Sequence, residues 1–200
     1  MLASPPALAV AALVWALLTF SLWRSRRWLA FYITGAFGFV LIVLSVLRTM
    51  GVDATVEALQ ARQVTTLAGL LGIRLSVLGG SGLAIPNNAG WAVFDIGIEC
   101  SALLEILAFS GLVGFYPAFS ASRKSATLAA GAAATWIINI LRILLIVWII
   151  NVFGTGWVYS AHAVFGRVFF FAATIAIYWY LVTRPTVRIV SAGLGGGADE

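Results

Sequence analysis

Reactive side chains are scarce in this chain: 200 residues hold one cysteine and one histidine, with seven acidic residues against twelve basic ones. A single cysteine excludes an internal disulfide. One histidine, one cysteine and scattered carboxylates form no ligand cluster of recognised spacing, so no metal and no cofactor is expected. There is no nucleotide or flavin signature, no internal repeat and no Asn-x-Ser/Thr acceptor site. Charge of either sign is sparse, with 10% of residues charged and 62% hydrophobic, and the mean hydropathy is +1.04. So little polar sequence leaves no room for a separate soluble domain.

What is present is a series of apolar runs of spanning length, separated by short charged clusters. The fold expected is an all-α integral membrane protein. Its spans run from about Pro6 to Trp23, Trp28 to Leu47, Cys100 to Ala121, Ser125 to Ile150 and Ala163 to Val182, which makes five. Residues 54–72 are a candidate sixth, against which Arg62 and Arg74 argue. Residues 1–187 form one transmembrane unit, and 188–200, rich in glycine from Gly193 to Gly197, form a flexible cytoplasmic tail. Arg24, Arg26, Arg27, Arg123, Lys124, Arg184 and Arg188 fall on one side if the N-terminus is outside. Arg48, Arg62 and Arg74 on the other side are balanced by Asp53, Glu57, Asp95 and Glu99. The positive-inside rule then places residues 48–99 outside the cytoplasm of an inner or plasma membrane, with the C-terminus inside. The net charge of +5 orients the protein in its lipid and implies no nucleic-acid partner. The first apolar run is followed, not preceded, by its basic cluster, so it reads as a retained anchor.

Between the second and third spans the texture changes twice. Val56, Leu59, Val64, Leu67, Leu70 and Leu71 recur at helical spacing with Asp53, Glu57, Gln60 and Arg62 between them, which predicts a helix lying at the interface or packed on the bundle. From Ile73 to Ile98, Gly79, Gly80, Gly82, Pro86 and Gly90 separate short apolar stretches, which predicts a small extracytoplasmic hairpin or strand-like loop. The small-residue run 125–135 favours close helix packing.

Three residues carry chemistry. Counting 1.5 Å per helical residue from the inner charges, Cys100 and His162 lie about 33 Å up their helices and Arg142 about 27 Å, so all three meet near the outer border. Cys100 is read as opening the third span, where free backbone N–H groups and the helix dipole would stabilise a thiolate and lower its pKa. A lone membrane cysteine is ordinarily small apolar filler; the company it keeps argues otherwise. Arg142 stands inside an otherwise apolar run, where an arginine costs at least about 2.5 kcal/mol and needs a partner unless it snorkels outward. There it could bind a carbonyl oxygen as charge develops, or stabilise the thiolate. Asn139, three residues earlier on the same face, could hold Arg142 or face the site with it. His162 exchanges protons near neutral pH. Glu99 and Ser101 flank the thiol as supporting residues, and Glu105 is read as structural.

Glu99-Cys100-Ser101-Ala102-Leu103, then Asn139-Ile140-Leu141-Arg142-Ile143, then His162 at the head of the last span, resemble in order and placement the exosortase and archaeosortase family of membrane cysteine transpeptidases. The resemblance covers about residues 28 to 185. It departs at Ala102, where a glycine commonly follows the Cys-Ser pair. It implies an enzyme that cuts C-terminal sorting signals, each a short motif, a transmembrane helix and a basic end, from exported proteins and releases them to a cell-surface acceptor. In that picture Cys100 forms a thioacyl intermediate, His162 relays protons, and Arg142 stabilises the oxyanion or positions the substrate.

Two other classes fit the same residues. In a small transporter or assembly factor, Arg142, Glu105 and Asn139 would form a polar relay with Cys100 incidental. In a membrane acyltransferase, a lipid or thioester donor would acylate Cys100 without any peptide cleavage.

Overall fold

A computed structural model of the chain describes residues 5–88 and 90–187. The glycine-rich tail, expected from residue 188 onward, lies outside the described residues. Four helices are long and apolar enough to cross a membrane: α1 (Pro5–Arg24), α2 (Trp28–Thr49), α5 (Ala121–Phe153) and a C-terminal helix (Thr155–Val187). Among the described residues this is a predominantly helical, membrane-embedded bundle. The third expected span is shorter than its apolar run: α4 covers only Leu103–Phe115. At about 20 Å it falls short of a hydrocarbon layer of about 30 Å. A 3-10 turn, Ile98–Cys100, precedes it, and Tyr116–Ser120 follows it in non-helical conformation.

The membrane hairpins close by packing of small residues. A Cβ on Gly35 would run into the ring of Phe115, one on Gly38 into Trp15, and one on Gly131 into Phe109. Where α2 crosses α4 the backbones themselves approach, so that a Cβ on Gly111 would sit 2.8 Å from the carbonyl oxygen of Ala36. In lipid, where apolar attraction between helices is weak, such close approach supplies the dispersion contact that holds the bundle. Trp15 Nε1 also donates to the carbonyl of Thr34 at 2.9 Å, joining α1 to α2.

Both α5 and the C-terminal helix contain 33 residues and run about 50 Å, some 20 Å more than the hydrocarbon requires. The extra length of α5 carries a compact cap. Helix α3 (Val52–Leu70) follows Gly51, whose φ of 69° makes the tight reversal out of α2. It is not among the helices apolar enough to cross. Its buried face is Gln60, Ala61, Val64 and Ala68, whereas Leu59, Leu67, Leu70 and Leu71 are exposed. The leucine periodicity therefore marks the outward side, and small residues around Gln60 let the helix approach α5.

Residues expected to form a hairpin-like loop build a three-stranded antiparallel sheet in the order β1 (Ser76–Leu78), β2 (Gly82–Asn87), β3 (Gly90–Asp95). The β1–β2 turn runs through Gly79 and Gly80 at φ 57° and 98°, a conformation open to glycine at no steric cost. Leu83 and Ile85 of β2 and Ile143, Ile146, Val147 and Ile150 of α5 belong to one core cluster that also encloses Cys100. Asn151 Nδ2 donates to the carbonyl of Pro86 at 2.7 Å and fastens the sheet to the top of α5.

The two glycines of α4 make opposite demands. Gly111→Ala should lower the thermal midpoint of the detergent-solubilised protein by the equivalent of about 1–3 kcal/mol, because backbone must move to admit the methyl group. Gly114→Ala, with open space around it, should hold or raise that midpoint through helix propensity.

Candidate active site

The site lies where the turn before α4 meets α5 and the head of the C-terminal helix. Cys100 closes the 3-10 turn, with its N–H donating to the carbonyl of Gly97 at 2.8 Å. The next residues do not continue as helix. Ala102 takes φ 57°, ψ −5°, and α4 starts only at Leu103. Cys100 thus precedes the helix instead of opening it. The departure from the glycine of the resembled motif falls on a residue in the left-handed region, where a Cβ costs roughly 1–2 kcal/mol.

Two side chains of α5 hold this turn. Asn139 Nδ2 donates to the carbonyl of Cys100 at 2.7 Å and to Gln60 Oε1 of α3 at 3.2 Å. Arg142 Nη1 donates to the carbonyl of Glu99 at 3.4 Å, and Nη2 lies 3.8 Å from Cys100 Sγ. Its guanidinium also sits 5.1 Å over the ring of Phe170. Arg142 is only 4% exposed, so it does not snorkel to the interface. Asn139 does not hold Arg142; the two work in parallel on consecutive carbonyls of one turn.

From the other side His162 approaches the thiol, with Nδ1 at 3.6 Å and Nε2 at 3.9 Å from Sγ. Its ring contacts Phe94 of β3 at 5.5 Å between centroids. His162 lies in a π-helical turn, Ala161–Gly166, and Gly166 allows this turn to pack closely on Ile146 of α5. Cys100, Arg142 and His162, chosen from sequence, therefore come together. The supporting residues divide. The Glu99 carboxylate is exposed and 3.9 Å from Arg167 Nη2, an exposed pair of little energetic weight, while its carbonyl serves Arg142. Ser101 is buried with its hydroxyl donating to the carbonyl of Ile98 at 3.0 Å, so it stabilises the turn and does not face the thiol's partners.

Sequence reading missed Gln60, Phe94 and Phe170. Gln60 carried a signal, a polar residue at helical spacing from Val64 and Ala68, but the leucine periodicity masked it. Glu105 finds no hydrogen-bond partner for Oε2 and lines, with Arg142 and Thr174, a cavity of about 380 Å³.

The thiol opens instead into a cleft of about 790 Å³ whose walls include Val93, Asp95 and Ile98 on one side and Val158, Tyr159 and His162 on the other. Burial pushes the Cys100 thiol above its ordinary pKa. Arg142 opposes this, and the nearby Glu99 and Glu105 charges reinforce it. The expected fall does not occur, because the residue lies outside the helix and 3% exposed. The site at rest holds a neutral thiol with a proton acceptor at contact distance and a fixed cation beside the sulfur. That is a set able to form a nucleophile during attack and to receive negative charge nearby. Among the described residues no group of three or more His, Cys, Asp or Glu side chains could hold a metal.

Thiolate-selective alkylation reads this electrostatics directly. The iodoacetamide rate at Cys100 should rise with pH along a midpoint above the ordinary thiol value of about 8.5. Arg142→Gln should move that midpoint higher and Glu99→Gln lower, as followed by mass spectrometry. A second expectation concerns the left-handed residue: Ala102→Gly should leave stability within about 1 kcal/mol, whereas Ala102→Val should cost about 2 kcal/mol or more. Thermal unfolding in detergent separates the two.

No protein-family model matches the chain, and neither does a curated protein or a solved structure.

Proposed function

We propose that this chain is a sortase-like thiol transpeptidase or protease of the exosortase and archaeosortase type, acting on exported proteins that carry a C-terminal transmembrane sorting signal. The observation that carries the reading is the contact set around one sulfur: His162 Nδ1 at 3.6 Å and Arg142 Nη2 at 3.8 Å, at the floor of an open cleft. In the proposed reaction the Cys100 thiol gives its proton to His162 as sulfur attacks the scissile carbonyl. The C–N bond breaks, and the imidazolium returns the proton to the leaving amine, which departs with the anchor helix. The thioester left on Cys100 is then opened by water or by an amine or hydroxyl acceptor, which His162 deprotonates; the C–S bond breaks and the thiol is restored. Arg142 faces the developing oxyanion. The membrane arrangement that goes with this reading has five crossings, α4 completing its own with the segments flanking it. The N-terminus is outside, the C-terminus is cytoplasmic, and the site stands at the outer border of the cell membrane.

A polar relay in a transporter or assembly factor is favoured by one observation: Glu105 Oε2, Arg142 Nε and Thr174 Oγ1 all lack hydrogen-bond partners around the smaller cavity. The two readings part at the thiol. Co-expression with a substrate bearing a tripartite tail should give a truncated product. That product should disappear in Cys100→Ala, Arg142→Ala and His162→Ala, with membrane levels of the enzyme unchanged. Normal processing by Cys100→Ala would sink the thioacyl mechanism. Donor label on Cys100 with no truncated protein would assign the chain to lipid or thioester acyl transfer instead.

A further inference from the structure

The sheet ends in a strand whose outer edge is unpaired, and the alternation of its hydrogen bonds can be read from the register. Residue 96 pairs inward, with Ile96 N–H donating to the carbonyl of Ser81 at 3.2 Å. Trp91 lies opposite Pro86, which has no N–H to give. In an antiparallel ladder the sense alternates at each residue, so Gly90, Ala92 and Phe94 direct their N–H and C=O toward β2. Trp91, Val93 and Asp95 direct theirs away. Among the described residues no strand lies beyond β3.

This free edge is continuous with the candidate active site. Val93 and Asp95, two of the residues whose backbone groups face outward, line the same 790 Å³ cleft as Cys100 and His162. The far wall, Thr155 to Tyr159, belongs to the C-terminal helix and offers no strand to pair with. Uncovered strand edges are normally blunted by charge, proline or a covering element, because they template pairing with other chains. Here Trp91 and Val93 stand exposed at 60% and 63% with only Asp95 as a charge. A peptide delivered to Cys100 must be extended at its scissile bond, and at a membrane border its own N–H and C=O groups need partners.

We infer that the substrate binds as an added strand along the outer edge of β3, its backbone paired with Trp91, Val93 and Asp95, which carries its scissile carbonyl along the cleft to Cys100. The inference rests on the peptide-cleaving reading and specifies the substrate class within it: an extended, backbone-recognised segment, with side-chain selection confined to alternate residues.

The test uses the full chain and probes that need no knowledge of the natural substrate. Mixed-sequence tetrapeptidyl chloromethyl ketones alkylate a thiol by displacement of chloride. Their rate at Cys100 is compared with that of chloroacetone, which carries the same chloromethyl ketone and no peptide backbone. The unaltered chain should react with the peptidyl probes about tenfold faster, and in Val93→Pro, which removes one outward N–H, the ratio of peptidyl to chloroacetone rates, both measured on that variant, should fall to about one. Val77→Pro is the matched control. Val77 faces outward on the opposite edge by the same alternation, since Gly82 and Ala84 turn from β3 toward Leu78 and Ser76. It should keep the advantage. N-methylation of the probe amides, one at a time, reads the same contacts without a mutation, and at least one position should cost about tenfold. An advantage that survives both Val93→Pro and every N-methylation overturns strand addition and leaves the peptide-cleaving reading standing. Equal rates for peptidyl and non-peptidyl probes on the unaltered chain overturn both.

Discussion

The upper half of this molecule depends on two side chains of one helix gripping two consecutive carbonyls. Asn139 and Arg142 stand three residues apart on α5, on one face, and take the carbonyls of Cys100 and Glu99. Both donors are buried, Asn139 fully, in a run that is otherwise apolar. A loose turn would leave carbonyl oxygens and a guanidinium without partners, at a cost of several kcal/mol. The contacts therefore act as a latch: the turn has one position in which its polar groups are answered, and that position puts the sulfur between a cation and an imidazole. Gln60, through Asn139, brings α3 into the same network.

The thiol's chemistry follows from this placement. A cysteine at a helix start would be charged by the free N–H groups of the first turn. Cys100 instead sits in a turn where its own N–H and that of Ser101 are engaged by the carbonyls of Gly97 and Ile98, and its side chain belongs to the buried core cluster that includes Ile146 and Ala161. Desolvation outweighs the single cation, so the thiol's pKa stands above its ordinary value. A neutral resting thiol is also the less oxidisable form, since the thiolate is the one that oxidises.

Legibility in the sequence was uneven for physical reasons. The long apolar helices and the three residues around the sulfur could be read because composition and the cost of a buried arginine in lipid leave few choices. The extent of α4 could not. Its apolar run continues unbroken to Ala121, but Ala102 and the Tyr116–Ser120 stretch leave helical geometry at positions that hydropathy does not distinguish. The inward face of α3 was hidden because exposed leucines at helical spacing give the same periodicity as core leucines. The three-stranded sheet was visible only as punctuation, since two strands of six residues and one of three are too short for alternation to count. Ser101 shows the opposite error: adjacency in sequence suggested a role at the sulfur, and the turn sends its hydroxyl backward to Ile98.

The π turn that carries His162 has a consequence for the helix on either side of it. A π turn holds one residue more than the α-helix would place there, so every residue beyond it is rotated by about 100° relative to an uninterrupted helix. The imidazole reaches the sulfur from this turn, while Phe170, one turn past the segment, reaches the Arg142 guanidinium from the same helix. One inserted residue thus aims two side chains at two different atoms of the site from a single helix face. Wound as an uninterrupted α-helix, the same sequence would set His162 and Phe170, eight residues apart, about 80° from each other; the π turn takes up one residue and brings both onto the face that meets the site. Phasing, more than composition, is what makes this helix part of the site.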